Sequence, residues 1–361
     1  MMVMRVILTR FCGLLILGFG LMGVAFGDTL QVGFVYVGPI GDHGWTYQHN
    51  KGREYLEKML GSKVETTYVE NVAEGGDSER VIEQLASSGH DVIFTTSFGY
   101  MNPTLKVAKR YPHVKFEHAT GFKRVKNVST YNARYYEGRH VLGLIAGHVS
   151  KSGVMGYVAS FPIPEVVRGI NATILAARKI NPDMRVKVVW VNSWFDPGKE
   201  SDAAKALIDQ GADVILQHTD SPAPVQTAES RGVYAFGQAS DMSSFGADAH
   251  LTAIENVWGP YYVSRVKAVM DGSWKSSDTW GGLEAGMVKM APYGPGVPSS
   301  VRKVADKAVA DIKAGRLHPF TGPIKSRDGE MKVPAGSVAD DGLLLGMDFF
   351  VEGVEGSLPG S

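Results

Sequence analysis

The chain has 361 residues, 37 Lys+Arg against 37 Asp+Glu, 44% hydrophobic residues and a single Cys. These values describe an ordinary globular protein of about two domains and exclude a disordered or fibrous chain. Zero formal net charge argues against a nucleic-acid binder with a basic surface, and one Cys cannot form an internal disulfide.

Residues 1–27 open the chain with Arg5 and Arg10 as their only charges, followed by an apolar run from Phe11 to Phe26. Small residues Ala25 and Gly27 precede Asp28, the layout of a secretory signal peptide cut before Asp28. The competing reading is a membrane anchor, but the run is glycine-broken and short of the ~20 residues a span needs. Cys12 lies early in the run, away from the cleavage point, so lipid attachment is not expected. Removing the segment leaves a Cys-free chain of net charge −2. An exported, periplasmic protein is expected.

From Gln31 the chain alternates short β-branched runs with amphipathic ones. Strands are expected at 31–37, 64–69, 92–95, 114–117 and 128–131, with helices at 44–60, 78–88 (capped by Asp77) and 103–110 between them. A helix over 135–150 leads into a second series: strands at 154–158, 186–191, 214–217 and 233–236, and helices at 165–180, 199–210 and 224–230. Beyond a strand at 251–254 and a helix at 261–270 the pattern is mixed. Residues 281–298 are rich in Gly and Pro, 302–314 reads as a solvated helix, and 319–346 reads as loops with short strands. Alternation of this kind predicts two α/β lobes with parallel sheets and right-handed crossovers.

Ligands of parallel sheets sit beyond the carboxyl ends of the strands. The loops there include Gly41-Asp42-His-Gly-Trp45-Thr46, Ser97-Phe98-Gly-Tyr, Ser193-Trp194-Phe-Asp-Pro, Gly237-Gln238-Ala-Ser-Asp241 and Glu255-Asn-Val-Trp258. Aromatic residues recur beside acids and amides, a combination suited to clamping a flat ring and fixing its edge. For any one of these aromatics, sealing the end of a sheet is the plainer role, but recurrence in both series favours binding for Trp45 and Trp194. No phosphate-loop or nucleophile-elbow motif is present in the sequence, and no G-x-G-x-x-G follows the first strand. His43 and His49 lie six apart, which is not the spacing of a helical metal pair. No metal or cofactor is expected.

These loops resemble those of the basic membrane protein family of ABC-transporter substrate-binding proteins, the purine nucleoside receptor type. The resemblance runs from Val32-Gly-Phe-Val-Tyr and Gly41–Trp45 through Tyr135-Tyr-Glu-Gly138, Gly143-Leu-Ile-Ala-Gly147, Ser193–Pro197 and Gly237–Asp241 to Thr252–Val257. It implies a type I periplasmic-binding-protein fold, two lobes joined by three crossovers near 132–136, 254–258 and 280–290, closing on a ligand between them. The lobes would be 28–132 plus about 257–282, and 133–256 plus about 283–361. The family's two stacking aromatics fall on Trp45 and Trp194, and its ligand-holding acids on Asp42 and Asp241, with Gln238 beside the latter. Phe98 completes the expected set.

Two positions depart from the family pattern. An Asn is replaced by Thr46 and a Lys by Glu255, which removes donors for sugar hydroxyls and favours a free nucleobase such as adenine over a nucleoside. The expected protein binds a purine, delivers it to an inner-membrane ABC permease, acts as a monomer without nucleic acid, and catalyses nothing. The alternative is a secreted α/β nucleoside hydrolase, which would need a carboxylate cluster at the first strand where only Asp42 stands. A lobed transcription regulator is disfavoured by the signal segment and the missing helix-turn-helix.

Overall fold

A computed structural model describes residues 29–359, and the expected signal segment lies outside the described residues. The first run of elements is β1 (Leu30–Val35), α1 (Trp45–Leu60), β2 (Val64–Val69), α2 (Gly76–Ser87), β3 (Val92–Thr95), α3 (Met101–Arg110), β4 (Lys115–Ala119) and β5 (Val128–Ala133). The second is α4 (Tyr135–Val149), β6 (Val154–Ala159), α5 (Pro164–Ile180), β7 (Arg185–Trp190), α6 (Pro197–Asp209), β8 (Val214–His218), α7 (Ala223–Arg231), β9 (Tyr234–Gly237) and β10 (His250–Asn256). Then follow α8 (Gly259–Met270), β11 (Asp278–Gly281), β12 (Val288–Met290), α9 (Ser299–Lys313), β13 (Ile324–Lys325), β14 (Met331–Val333), α10 (Asp341–Leu345) and β15 (Val354–Glu355).

Two sheets result. One is six-stranded in the order β11-β5-β4-β3-β1-β2 and parallel throughout. The other is seven-stranded in the order β12-β10-β9-β8-β6-β7-β15, parallel except where β12 runs against β10. The chain passes between sheets three times: from β5 into α4, from β10 into α8, and from β11 to β12. β3, β5, β6 and β8 are buried at every position, as strands covered by helices on both faces must be.

The Gly143-Leu-Ile-Ala-Gly147 motif has a packing role. A Cβ on Gly143 would meet the Thr173 carbonyl oxygen at 2.1 Å, and one on Gly147 the Ala177 carbonyl oxygen at 2.8 Å. Bare glycines let α4 and α5 approach backbone to backbone, so α4 is buried along nearly its whole length.

Three expectations are corrected. Asp77 does not cap α2, which begins one residue earlier behind Gly75 and holds Asp77 in its first turn. The apolar residues of the 44–60 run, Trp45, Tyr47, Tyr55, Leu56, Met59 and Leu60, predict its inner face, but the buried residues of α1 are Thr46, His49, Asn50, Gly52, Leu56 and Leu60, while Tyr55 and Met59 are exposed. Gly52 lies on that face because the Tyr262 ring of α8 fills the space where a Cβ would stand. Helix α9 is not solvated all round: Val301, Ala305, Ala308 and Ile312 are buried in the main core, on the side facing α4.

Candidate functional site

Strand order reverses between β1 and β3 in the first sheet and between β6 and β8 in the second, and each reversal opens a crevice at the carboxyl ends. The two crevices face each other across a narrow cleft. Val37, Trp45, Ser97, Phe98 and Thr120 line it from the first sheet. Ile163, Glu165, Trp194, His218, Asp220 and Gln238 line it from the second.

Trp45, the first residue of α1, is pinned from behind. Its Nε1 donates to the Thr96 carbonyl at 2.6 Å, and it packs edge-on to His49 and Trp258 at 4.4 and 5.8 Å between centroids. Trp194 stands on the loop after β7, against Phe161 at 5.0 Å. Its Nε1 donates to Glu74 Oε1 of the first sheet at 3.1 Å, and its carbonyl accepts from the Asp220 amide at 2.9 Å. Glu74 also accepts from Ser97 Oγ and the Gly99 amide. A further bond across the cleft runs from the Gly44 amide to Ser240 Oγ at 2.8 Å.

The second sheet carries most of the polar chemistry. Glu165 is 7% exposed; one oxygen lies 3.4 Å from His218 Nε2, and the other has no partner. His218 Nδ1 is likewise buried and unpartnered, and burial lowers its basicity. Burial, with Glu200 nearby, pushes the Asp220 carboxyl well above the usual carboxylate range. Gln238, 2% exposed, accepts a hydrogen bond from Arg139 through Oε1.

Of the eight residues singled out from sequence, Trp45, Phe98, Trp194 and Gln238 line this cleft. The other four do not. Thr46 is buried, its Oγ1 accepting from the Gly38 amide at 3.3 Å and so shaping the loop behind Trp45. Asp42 is exposed. Asp241 turns back to cap its own loop at the Ser243 amide, 2.9 Å away. Glu255 pairs with Lys289 at 2.6 Å in a different cavity, beside Lys51, Tyr55 and Trp258, because β10 is two strands beyond β8, separated from the crevice by β9. The argument from Glu255 for a nucleobase therefore has no support in the cleft. Trp258 is 1% exposed and stacks on His49 in the core.

Sequence reasoning missed Thr120, Glu165, His218 and Asp220, which stand after β4, β6 and β8. For the last three the signal was present: the strand-end rule applied to Ser160-Phe-Pro-Ile-Pro-Glu165 and His218-Thr-Asp220-Ser finds them. Among the described residues no group of three or more His, Cys, Asp or Glu could hold a metal ion, and no helix is long and apolar enough to cross a membrane.

A cleft lined from both sides, between two α/β sheets joined by three crossovers, is the architecture of a type I periplasmic-binding protein. Residues 29–314 match the family described as ABC transporter substrate-binding protein PnrA-like, and the chain belongs to that family, which binds substrates rather than transforming them. It is 60% identical over 343 residues to a purine-binding protein of Brucella abortus, covering 95% of this chain and 98% of that one. It is 41% identical over 337 residues to a Haloferax volcanii protein provisionally named an ABC transporter glucose-binding protein, covering 93% and 83%. An ABC transporter solute-binding protein from Aeropyrum pernix shares the fold, with a TM-score of 0.69 at 18% identity over 87% of this chain and 95% of that one.

Proposed function

We propose that this protein binds a purine between Trp45 and Trp194, the free base in preference to the nucleoside, and hands it to an ABC permease in the inner membrane. The observation that carries the reading is the pair of indoles, one from each sheet, flanking a cleft with carboxyl, imidazole and amide groups at its edge. Indole faces stack on any nucleobase, and in-plane polar groups then read the ring's edge. The purine-binding name of the Brucella relative supports the same class. Trp45, Phe98, Trp194 and Gln238 contact the ligand in this reading, together with Glu165, His218 and Asp220.

The lobes divide as the sheets do, at the three crossovers, with residues 28–132 and about 257–282 in one and the remainder in the other. The monomer is exported after cleavage before Asp28, without lipid. Intact mass of the exported protein checks this; a diacylglycerol adduct would overturn it. Titration calorimetry with adenine, guanine, hypoxanthine, adenosine and glucose tests the ligand class. Binding of glucose but no purine would refute the reading, and tighter binding of adenosine than adenine would refute the base preference.

A further inference from the structure

The two unpartnered atoms in the cleft wall belong to neighbouring side chains. Glu165 sits in the first turn of α5, and His218 ends β8, the adjoining strand across the switch point from β6. Glu165 Oε1 lies 3.4 Å from His218 Nε2, while Glu165 Oε2 and His218 Nδ1 are each buried without a partner. A buried polar atom left unpaired is costly, and both residues line the cleft, so the ligand is the natural source of the missing bonds.

The chemistry of those bonds follows from the pairing already made. A carboxylate only accepts, so the imidazole nitrogen facing Glu165 carries the hydrogen. A neutral imidazole has one N–H, and burial lowers the basicity of His218, favouring that form. Its Nδ1 is then an acceptor, as is Glu165 Oε2. Gln238 contributes the opposite polarity. Arg139 has donors only and faces Gln238 Oε1, which fixes the amide orientation and leaves Nε2 as the group Gln238 can offer.

We propose that Glu165 and His218 form a paired acceptor that selects a purine presenting N–H hydrogens at this wall, an amino-bearing purine, over one presenting an oxo oxygen there. This rests on the purine reading above and names the sub-class. Gln238 supplies the complementary donor to a ring nitrogen. An oxo group at the wall would set three acceptors against one another with no hydrogen between them, whereas an amino group carries two hydrogens for two acceptors.

The test is calorimetry on the exported protein and on Glu165→Gln, using adenine, guanine and their counterparts lacking the amino group, purine and hypoxanthine. In the unmodified protein, removing the amino group from the better ligand weakens binding at least about tenfold, the loss of one charge-assisted bond. In Glu165→Gln that ratio shrinks to within about threefold, since the new amide can donate as well as accept. An unchanged ratio in a folded variant overturns the proposal. Should the variant not fold, the ligand series on the unmodified protein decides: equal affinities with and without the amino group overturn it. Failure of every purine to bind refutes the purine reading itself and is told apart by that result.

Discussion

Trp194 Nε1 and Glu74 Oε1 stand 3.1 Å apart, and the bond between them ties the loop after β7 in the second sheet to the segment after β2 in the first. Trp194 lines the cleft between the sheets and also a second cavity open to solvent, lined by Glu74, Asn71 and Phe195. The indole is thus a partition, and Glu74 holds it in place. A hydrogen bond to a charged group contributes about 1.5–3 kcal/mol when buried, and less at an exposed site such as this. Glu74→Ala is expected to speed ligand dissociation about fivefold or more while leaving ligand preference unchanged. Stopped-flow tryptophan fluorescence measures it, and an unaltered dissociation rate would show that the partition holds without the bond.

Loss of either indole is expected to weaken binding. Stacking on one aromatic is worth about 1–3 kcal/mol, so Trp194→Ala costs roughly ten- to a hundredfold in affinity. Trp45→Ala also removes core contacts with His49 and Trp258, so Trp45→Phe is the cleaner probe, keeping a ring face while losing the bond to Thr96. Trp274 provides the contrast. It is 9% exposed, distant in sequence from the cleft loops, and donates to Glu117 Oε1 at 2.7 Å. Trp274→Ala is expected to lower stability by about 3–5 kcal/mol and leave the affinity of the folded fraction unchanged. Denaturant titration and calorimetry separate the two effects; full affinity in Trp194→Ala would reduce that ring to a seal on the sheet end.

At Gly44 the first sheet's α1 loop packs directly against the second sheet's Asp220 backbone. The glycine's φ is 100°, and a Cβ there would lie 2.1 Å from the Asp220 carbonyl oxygen on the opposite side of the cleft. Gly44→Ala is therefore expected to hold the sheets apart and to weaken ligand binding at least about tenfold. Small-angle scattering should show ligand-induced compaction in the parent protein and little in the variant. A variant that compacts and binds normally would mean the sheets adjust locally around the methyl group.

Acid should destabilise the protein through its buried histidines. His118 is lowered to about 3 by burial, with its Nδ1 bonded to Thr95 Oγ1 at 2.9 Å. His140 is lowered to about 3 by burial, with Lys179 and His318 adding to the effect, and burial takes His49 well below its usual range. Folded values below the unfolded value mean the stabilisation is complete above pH ~6.5 and is lost as pH falls towards the folded value. Each such histidine removes about 1.4 kcal/mol per pH unit across that window. The melting temperature should fall steadily from pH 6.5 to 4, and His118→Gln should show a shallower slope. Identical slopes in the two proteins would remove His118 from the account.

The order of strands and helices was legible along the chain because each element is written in local letters. Val64–Val69 and Val92–Thr95 were bounded to the residue, since short apolar runs between turn signals have one reading in an α/β chain. α1 was harder, because its inner face includes His49, Asn50 and Gly52, residues whose burial depends on the Tyr262 ring and the Trp258 stack that α8 brings from over two hundred residues away. Trp45, Phe98, Trp194 and Gln238 could be placed at a cleft because they follow strands that the alternation itself reveals.

What the sequence determined by itself was the alternating α/β grammar, the two series of parallel strands and the aromatic strand-end loops, all carried by neighbours a few residues apart. Only the tertiary structure decided which loops meet. It set Glu165 against His218, turned Asp241 back on its own loop and sent Glu255 to Lys289 in another cavity. The reason is that a side chain's partners across a sheet depend on strand order, and that order is settled by which helices and strands can be buried together, a property of the whole packed chain.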